Sequence, residues 1–408
     1  MNERVKLRVD GRRLEESLRA MGRIGRSSGG GVTRLALSDA DREARDLLVS
    51  WFRGEGLDVR VDPVGNIFAV RGGASDSATV VMGSHLDTVR DAGIFDGALG
   101  VLGALEAVRT LNEEKVETEK PVAIAVFTNE EGARFQPDMM GSMVRAGKMS
   151  LGDALAAVDD DGASVREELK RIGYAGTDTL EPGCYLELHV EQGPVLHSRG
   201  LQIGVVEGVQ GIAWWHGRYE GEANHAGTTP LELRRDALLG AADLCLGLRA
   251  LAEKLGGGSV ATMGRLRPAP DVINVVPGVA DFTIDFRQVE RGLFEEGRRR
   301  VEALVREVAG RHGLSWSLRV SADAKPVRFD PGMVGLVESK ARGLGLSYAR
   351  MPSGAGHDAQ FMSYICPTAM VFVPSIGGRS HCPEEETGIG DCVNGAQVLL
   401  ECALELAG

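Results

Sequence analysis

The sequence predicts an α/β protein whose mainly parallel sheet is interrupted by a self-contained α+β insert, and three observations carry that expectation. Apolar, β-branched runs alternate with helix-period segments through residues 79–129, as parallel strands covered on both faces require. The pattern changes near residue 212 and changes back near 328. With 408 residues, the chain is also too long for one comfortable core.

Taken in order, residues 10–24 read as a helix, with Asp10 as N-cap and Leu14, Leu18, Met21 and Ile24 on one face. A second helix starts after Ser38, runs through LLVSWF and stops at the glycines of GEG. Strands are expected at 57–61 and 66–71, joined by the turn PVGN. Next come a buried strand at 79–86, a helix at 97–111 and a second buried strand at 121–129. The segment 150–173 reads as helical, and 184–190 and 203–209 as strands. From 213 the order is strand 213–221, helix 234–255, strands 259–266 and 279–287, helix 289–311 and strand 314–321. This β-α-β-β-α-β order is the ferredoxin-like arrangement. A helix at 332–344, a buried strand at 368–375 and a helix at 391–407 return to the first style. The expected organisation is a main domain built from 1–211 and 328–408, with an insert at 212–327.

A formal charge of −12 argues against nucleic acid or an anionic membrane surface as a general partner, because both need basic surface. No apolar run reaches the roughly 20 residues of a membrane helix, and MNERVKLRVDGRRLEESL has no signal-peptide core. The six cysteines are scattered, without CxxC spacing, which suits free thiols in a cytoplasmic protein.

Several of the eight histidines sit where strands run out into polar, glycine-bearing loops. His85 ends VVMGSH, with Asp87 two residues on. Asp96 lies in GIFDGALG before a helix, Glu130 and Glu131 close VAIAVFTNEE, His189 stands in LELHVEQG, and His381 in GGRSHCPEEET. Each has an ordinary alternative: a packed histidine, a helix cap at Asp96, a solvated acidic loop at Glu130-Glu131. Their recurrence at successive strand ends points to a divalent metal site, because ligands of open α/β sheets gather at the carboxyl edge. Imidazole with carboxylate suits Zn²⁺, Mn²⁺, Co²⁺ or Ni²⁺.

The motifs GSHLDTV (83–89), GIFDGALGVLGALE (93–106), TNEEGARF (128–135), ELHVEQGPVL (187–196), GEANHAGTTP (221–230), DVINVVPG (271–278), SGAGHDA (353–359) and PSIGGRSHCPEE (374–385) span the chain. On these the sequence resembles the M20-type metallo-aminoacylase and carboxypeptidase superfamily. Within it, the resemblance is to the branch of N-carbamoyl-L-amino-acid hydrolases, allantoate amidohydrolases and β-ureidopropionases. It implies an aminopeptidase-like metal domain with an inserted dimerisation or lid domain, and a homodimer. It implies two divalent ions: one on His85, Asp96 and His189, the other on Asp96, Glu131 and His381. Glu130 is then the general base, and Asp87 orients His85 by accepting its free ring N–H. Gln192 contacts the ureido or amide end of the substrate. His225, expected to act across a dimer interface, polarises the carbonyl. Asn274 and Arg287 grip the substrate carboxylate, and the backbone at Gly354 and Ala355 lines the pocket. His357 opens the next helix, as a substrate contact or a buried structural residue.

The implied reaction is hydrolysis of N-carbamoyl-L-amino acids, with allantoate, β-ureidopropionate and N-acyl amino acids as alternatives. Histidine at 189, where peptidase members usually carry an acid, tilts the resemblance toward the amidases. A metal-binding protein that had lost catalysis would be expected to lack the base or a ligand, and neither is missing here.

Overall fold

The computed structural model describes residues 7–75 and 78–408. The chain forms two compact units: one runs to Glu207 and resumes at Phe329, and the other is Gly208–Arg328. These junctions differ by a few residues from 212 and 327, because strand Gly211–Glu220 follows almost directly on Ile203–Val209.

The larger unit is organised by a mixed sheet. Its centre is four parallel strands, in spatial order Val122–Phe127, Thr79–His85, Pro182–Val190 and Thr368–Val373. Antiparallel strands flank them, Ile67–Arg71 on one side and Ile203–Val209 on the other. Thr79–His85, Val122–Phe127 and Thr368–Val373 are buried along their whole length. That explains their unbroken apolar runs, since neither face meets water. Helix Ala98–Glu113 is buried from Ala98 to Leu111 and packs against helix Ile389–Ala407. Its small residues allow that close approach. Asp10 caps helix Gly11–Met21 by accepting from the Arg12 and Arg13 N–H groups, and Ser38 caps Asp39–Gly54 through Asp41 N–H. Each such cap is worth about 1 kcal/mol.

One expected helix is not continuous. Residues 150–173 form two short helices, Leu151–Ala156 and Val165–Ile172. The intervening DDDGA is a turn in which the Asp159 carboxylate accepts from Asp161 and Ala163 N–H at 3.1 and 2.8 Å. Ser164 then restarts the helix with a full capping box to Glu167. Local aspartate bonding to the backbone outcompetes helix continuation. Helices Met140–Arg145 and Asp358–Met362 and strand Tyr348–Ser353 are each too short to show a period in the sequence.

The unit Gly208–Arg328 has the chain order strand Gly211–Glu220, helix Ala237–Leu255, strands Val260–Ala269 and Val279–Gln288, helix Arg291–Arg311, strand Ser315–Ala324. Its four long strands lie in the spatial order Ser315–Ala324, Gly211–Glu220, Val279–Gln288, Val260–Ala269, antiparallel throughout. Strand Val279–Gln288 alternates strictly between buried and half-buried residues, so one face carries the core. Trp215, Tyr219, Phe282, Phe286, Leu244 and Val301 fill that core. Among the described residues no helix is long and apolar enough to cross a membrane.

Candidate metal centre

The four parallel strands share a direction, so their carboxyl ends open on one edge. His85 is the last residue of Thr79–His85, and Glu130 and Glu131 follow Val122–Phe127. His189 is next to last in Pro182–Val190. His381 follows Thr368–Val373 by way of the turn Ile376–Gly378. Asp96 precedes helix Ala98–Glu113, separated from it by Gly97 at φ 62°. A Cβ on Gly97 would collide with the His85 ring, so glycine alone fits there. Asn129, Gln192 and His381 also adopt left-handed backbone (φ 56°, 57° and 56°). Such strain in non-glycine residues clusters at functional sites. At Asn129 it is held by side-chain N–H bonds to the Phe135 and Pro137 carbonyls at 2.9 and 3.0 Å.

Asp96 is the hub. Its Oδ1 lies 3.6 Å from His85 Nε2 and 3.2 Å from His189 Nε2. Its Oδ2 lies 3.4 Å from His381 Nε2, which is itself 3.4 Å from Glu131 Oε2. Glu130 Oε2 stands 3.4 Å from His85 Nε2. Both buried imidazoles have fixed tautomers. His85 Nδ1–H donates to the Asp87 carbonyl at 2.9 Å, and His189 Nδ1–H to the Val190 carbonyl at 3.0 Å. With Nδ1 carrying a proton in both rings, Nε2 is the atom that faces the carboxylates.

Charge follows this geometry. Glu130 is pushed well above the usual carboxylate range by burial and then by Glu131. Glu131 is pushed up by burial and then by Asp96. Asp87 rises to about 7 through burial and Asp41, and Glu385 to about 7 through burial and Asp96. Burial opposes charge on His189, yet the Asp96 carboxylate raises it to about 9. Burial holds His85 down at about 4. A raised group contributes stability that is complete below its unfolded pKa and lost as pH climbs through the folded value. His85 runs the other way, but its change is over by about pH 6.5. Protein stripped of divalent ions by a chelator should therefore lose thermal stability steadily from about pH 6.5 to 9. Melting curves across that range test this, and a rising Tm would contradict it.

The structure brings His85, Asp87, Asp96, Glu130, Glu131, His189, Gln192 and His381 to one place, with one difference from expectation. The Asp87 carboxylate does not take the His85 ring proton, from which it is 4.0 Å away. The backbone carbonyl of Asp87 does so, being the nearer acceptor. The carboxylate instead receives the N–H groups of Glu130 and Glu131, at 3.2 Å each, and sets the backbone of both glutamates. Gln192 donates from Nε2 to Asp96 Oδ2 at 2.7 Å, and its Oε1 is buried without a partner. His357 is buried, stands at the N-terminal boundary of helix Asp358–Met362 without a side-chain bond to it, and packs edge-on against the His189 ring with centroids 4.5 Å apart. Its Nε2 meets Ser353 Oγ at 2.9 Å. Gly354 and Ala355 form the turn just before it, with Ala355 N–H donating to Ser353.

His225, Asn274 and Arg287 belong to the other unit. His225 is exposed on the short strand Asn224–His225, paired with Val275, and its Nδ1 accepts from Gly227 and Thr228 N–H at 3.0 and 3.2 Å. Its proton is therefore on Nε2, as a donor. The Asn274 carbonyl accepts from Ala226 N–H, and the Arg287 guanidinium pairs with Asp285 at 2.9 Å. Residue types alone assigned no role to Glu187, Asp358, Ser380 or Glu385, all of which lie in the quoted motifs.

The donor set fits divalent cations. One ligand atom each from His85, Asp96 and His189 lies within 4.8 Å of the others, and the same holds for Asp96, Glu131 and His381. His85 Nε2 and Glu131 Oε1 are buried with no hydrogen-bond partner. Orphaned lone pairs among crowded carboxylates are costly unless a cation receives them.

Comparisons with known proteins agree with that chemistry. Residues 81–405 match peptidase family M20/M25/M40. The chain is 40% identical over 404 residues to an N-carbamoyl-L-amino-acid amidohydrolase of Rhizobium meliloti, covering 98% of this chain and 97% of that one. It is 33% identical to the allantoate amidohydrolase of Escherichia coli, covering 97% of both. The crystal structure of a hydantoinase/carbamoylase family amidase from Burkholderia multivorans superposes with a TM-score of 0.96, at 41% identity and 99% coverage of both chains.

Proposed function

We propose, for a chain that belongs to peptidase family M20/M25/M40, the hydrolysis of the ureido C–N bond of N-carbamoyl-L-amino acids. Water adds to the ureido carbonyl carbon and the bond to the amino-acid nitrogen breaks. The carbamic acid released decomposes to ammonia and carbon dioxide. The observation that carries this reading is Asp96, whose two oxygens face two different sets of donors.

Metal dependence belongs to the family. Two ions are proposed here, zinc or else manganese, cobalt or nickel, one on His85, Asp96 and His189 and one on Asp96, Glu131 and His381. When bound they supply Lewis-acid polarisation and a lowered water pKa. The chain's own residues do the rest. Glu130, made basic by burial and by Glu131, takes the proton of the attacking water and returns it to the departing nitrogen. Asp87 fixes the backbone from which Glu130 projects. Gln192 offers its unpartnered Oε1 to the ureido NH₂. Gly354 and Ala355 line the pocket.

His225 is proposed to donate from Nε2 to the substrate carbonyl, and Asn274 and Arg287 to bind its carboxylate, in a homodimer where the Gly208–Arg328 unit serves a second copy. Apolar side chains exposed on that unit support such an assembly: Leu239 and Leu246 on one helix, Val260 on an edge strand, and Ile273 wholly exposed. An enforced monomer with full turnover would refute the shared site.

The test of the reaction is metal-dependent ammonia release from N-carbamoyl-L-amino acids, allantoate and N-carbamoyl-β-alanine, with free amine assayed for N-acetyl amino acids. N-carbamoyl substrates should exceed their N-acetyl counterparts about tenfold or more in kcat/KM, because a methyl group leaves Gln192 Oε1 unpaired at about 1–3 kcal/mol. Allantoate as the best substrate would shift the assignment to the activity of the Escherichia coli relative. No turnover with two ions bound would refute the substrate class.

A further inference from the structure

We infer that Glu385 is a positioning residue that locks the Asp96 carboxylate into its bridging orientation by tying the Asp96 loop to the His381 loop. The inference rests on the two-cation reading above.

Glu385 is buried, with 6% of its surface exposed. Its Oε1 accepts the N–H groups of both Phe95 and Asp96, at 3.0 and 3.1 Å, across 290 and 289 positions of sequence. Its Oε2 meets the Ser380 hydroxyl at 3.1 Å, and that hydroxyl lies 3.0 Å from Asp96 Oδ2. One glutamate thus sets the backbone of Asp96 directly, and the Ser380 hydroxyl, with one proton to give, stands between the two carboxylates. A Cβ on Gly93 would strike the Glu385 side chain, so the Asp96 loop leaves room for it.

The loop from 376 to 386 is shaped to deliver this carboxylate. Ile376 N–H donates to the Glu386 carbonyl at 2.8 Å and closes the loop at its base. Glu385 N–H donates to the Cys382 carbonyl at 3.1 Å and turns the chain back. His381 stands between, on left-handed backbone. Glu385 has both oxygens committed to donors of its own chain, and it enters none of the candidate ligand groups among the described residues. It therefore acts through Asp96, not as a further ligand.

The effect should be asymmetric. The Oδ1 side of Asp96 faces His85 and His189, which are fixed by their strands. The Oδ2 side faces His381 and Glu131, and Ser380 and Gln192 hold that oxygen. Losing Glu385 should weaken the ion on Asp96, Glu131 and His381 and spare the other. Outer partners of metal ligands typically change affinity about 10- to 100-fold.

The experiment is calorimetric titration of chelator-stripped, dialysed protein with Mn²⁺, together with melting curves of the stripped protein. Wild type should bind two ions. Glu385→Ala should weaken one site about 10- to 100-fold and leave the other within about threefold. Glu385→Gln should stay within about threefold at both sites. Its amide oxygen can accept the two N–H groups and its NH₂ can donate to Ser380. Ser380→Ala keeps the backbone bonds and removes only the link. It should weaken the same site about 2- to 10-fold, and it serves as the decisive variant if Glu385→Ala does not fold. Wild-type binding by Glu385→Ala or Ser380→Ala, or equal damage in Glu385→Gln and Glu385→Ala, overturns this inference alone. A wild-type protein that binds fewer than two ions overturns the two-cation reading, and this inference with it.

Discussion

Glu130→Gln is expected to lower kcat by about 10³-fold or more while the protein still takes up two ions. The glutamine keeps the shape of the side chain and its place beside His85 Nε2, but it cannot accept a proton from water. General-base catalysis is worth roughly 10²- to 10⁴-fold. The upper part of that range applies because the wild-type carboxylate is buried among other carboxylates, which raise its affinity for a proton. The same group is proposed to act twice, once on water and once on the leaving nitrogen, so a single substitution removes two proton transfers. KM should change little, since Glu130 is not assigned to substrate binding. Steady-state rates with metal content measured on the same sample decide the matter. Full metal occupancy with more than about a tenth of wild-type kcat would exclude Glu130 as the base.

Asp96→Asn is expected to abolish measurable turnover and to lower metal content below two ions per chain. The substitution is nearly isosteric, so folding should survive. The change removes the charge whose two oxygens face His85 and His189 on one side and His381 on the other. Ligand charge is what holds a divalent ion against its hydration shell. Losing several kcal/mol of Lewis-acid stabilisation corresponds to at least about 10³-fold in rate. Elemental analysis after dialysis, paired with the ammonia assay, is the measurement. Two tightly held ions in Asp96→Asn would show that Asp96 is not shared.

Much of this was legible in the residues because parallel strands leave a strong trace. Thr79–His85 and Thr368–Val373 are buried on both faces, so their apolar runs are continuous, and the polar residues that end them stand out. Helices with an aspartate or serine cap, such as those after Asp10 and Ser38, announced their starts. The DDDGA turn defeated the reading of 150–173, because helical apolar spacing on either side concealed a local preference of Asp159 for its own backbone. Hydrogen-bond direction was equally hidden. Whether His85 turns its ring N–H to the carboxylate or to the carbonyl of Asp87, 4.0 Å against 2.9 Å, is a matter of local geometry that spacing does not carry. Glu385 stood in plain view within PEEET, but an acid in an acidic run gives no sign of which member turns inward.

The order of strands in the large sheet also bears on how the protein is made. Strand Thr368–Val373 lies between Pro182–Val190 and Ile203–Val209, so a strand made well after both of its neighbours wedges between them. At about 5–20 residues per second, the nascent polypeptide carries an open seam along Pro182–Val190 for roughly ten seconds or more. An unpaired strand edge is a template for wrong partners. His381 emerges only after the wedge, so the set of Asp96, Glu131 and His381 is completed later than that of His85, Asp96 and His189. A late, long-range closing step of this kind is expected to slow refolding.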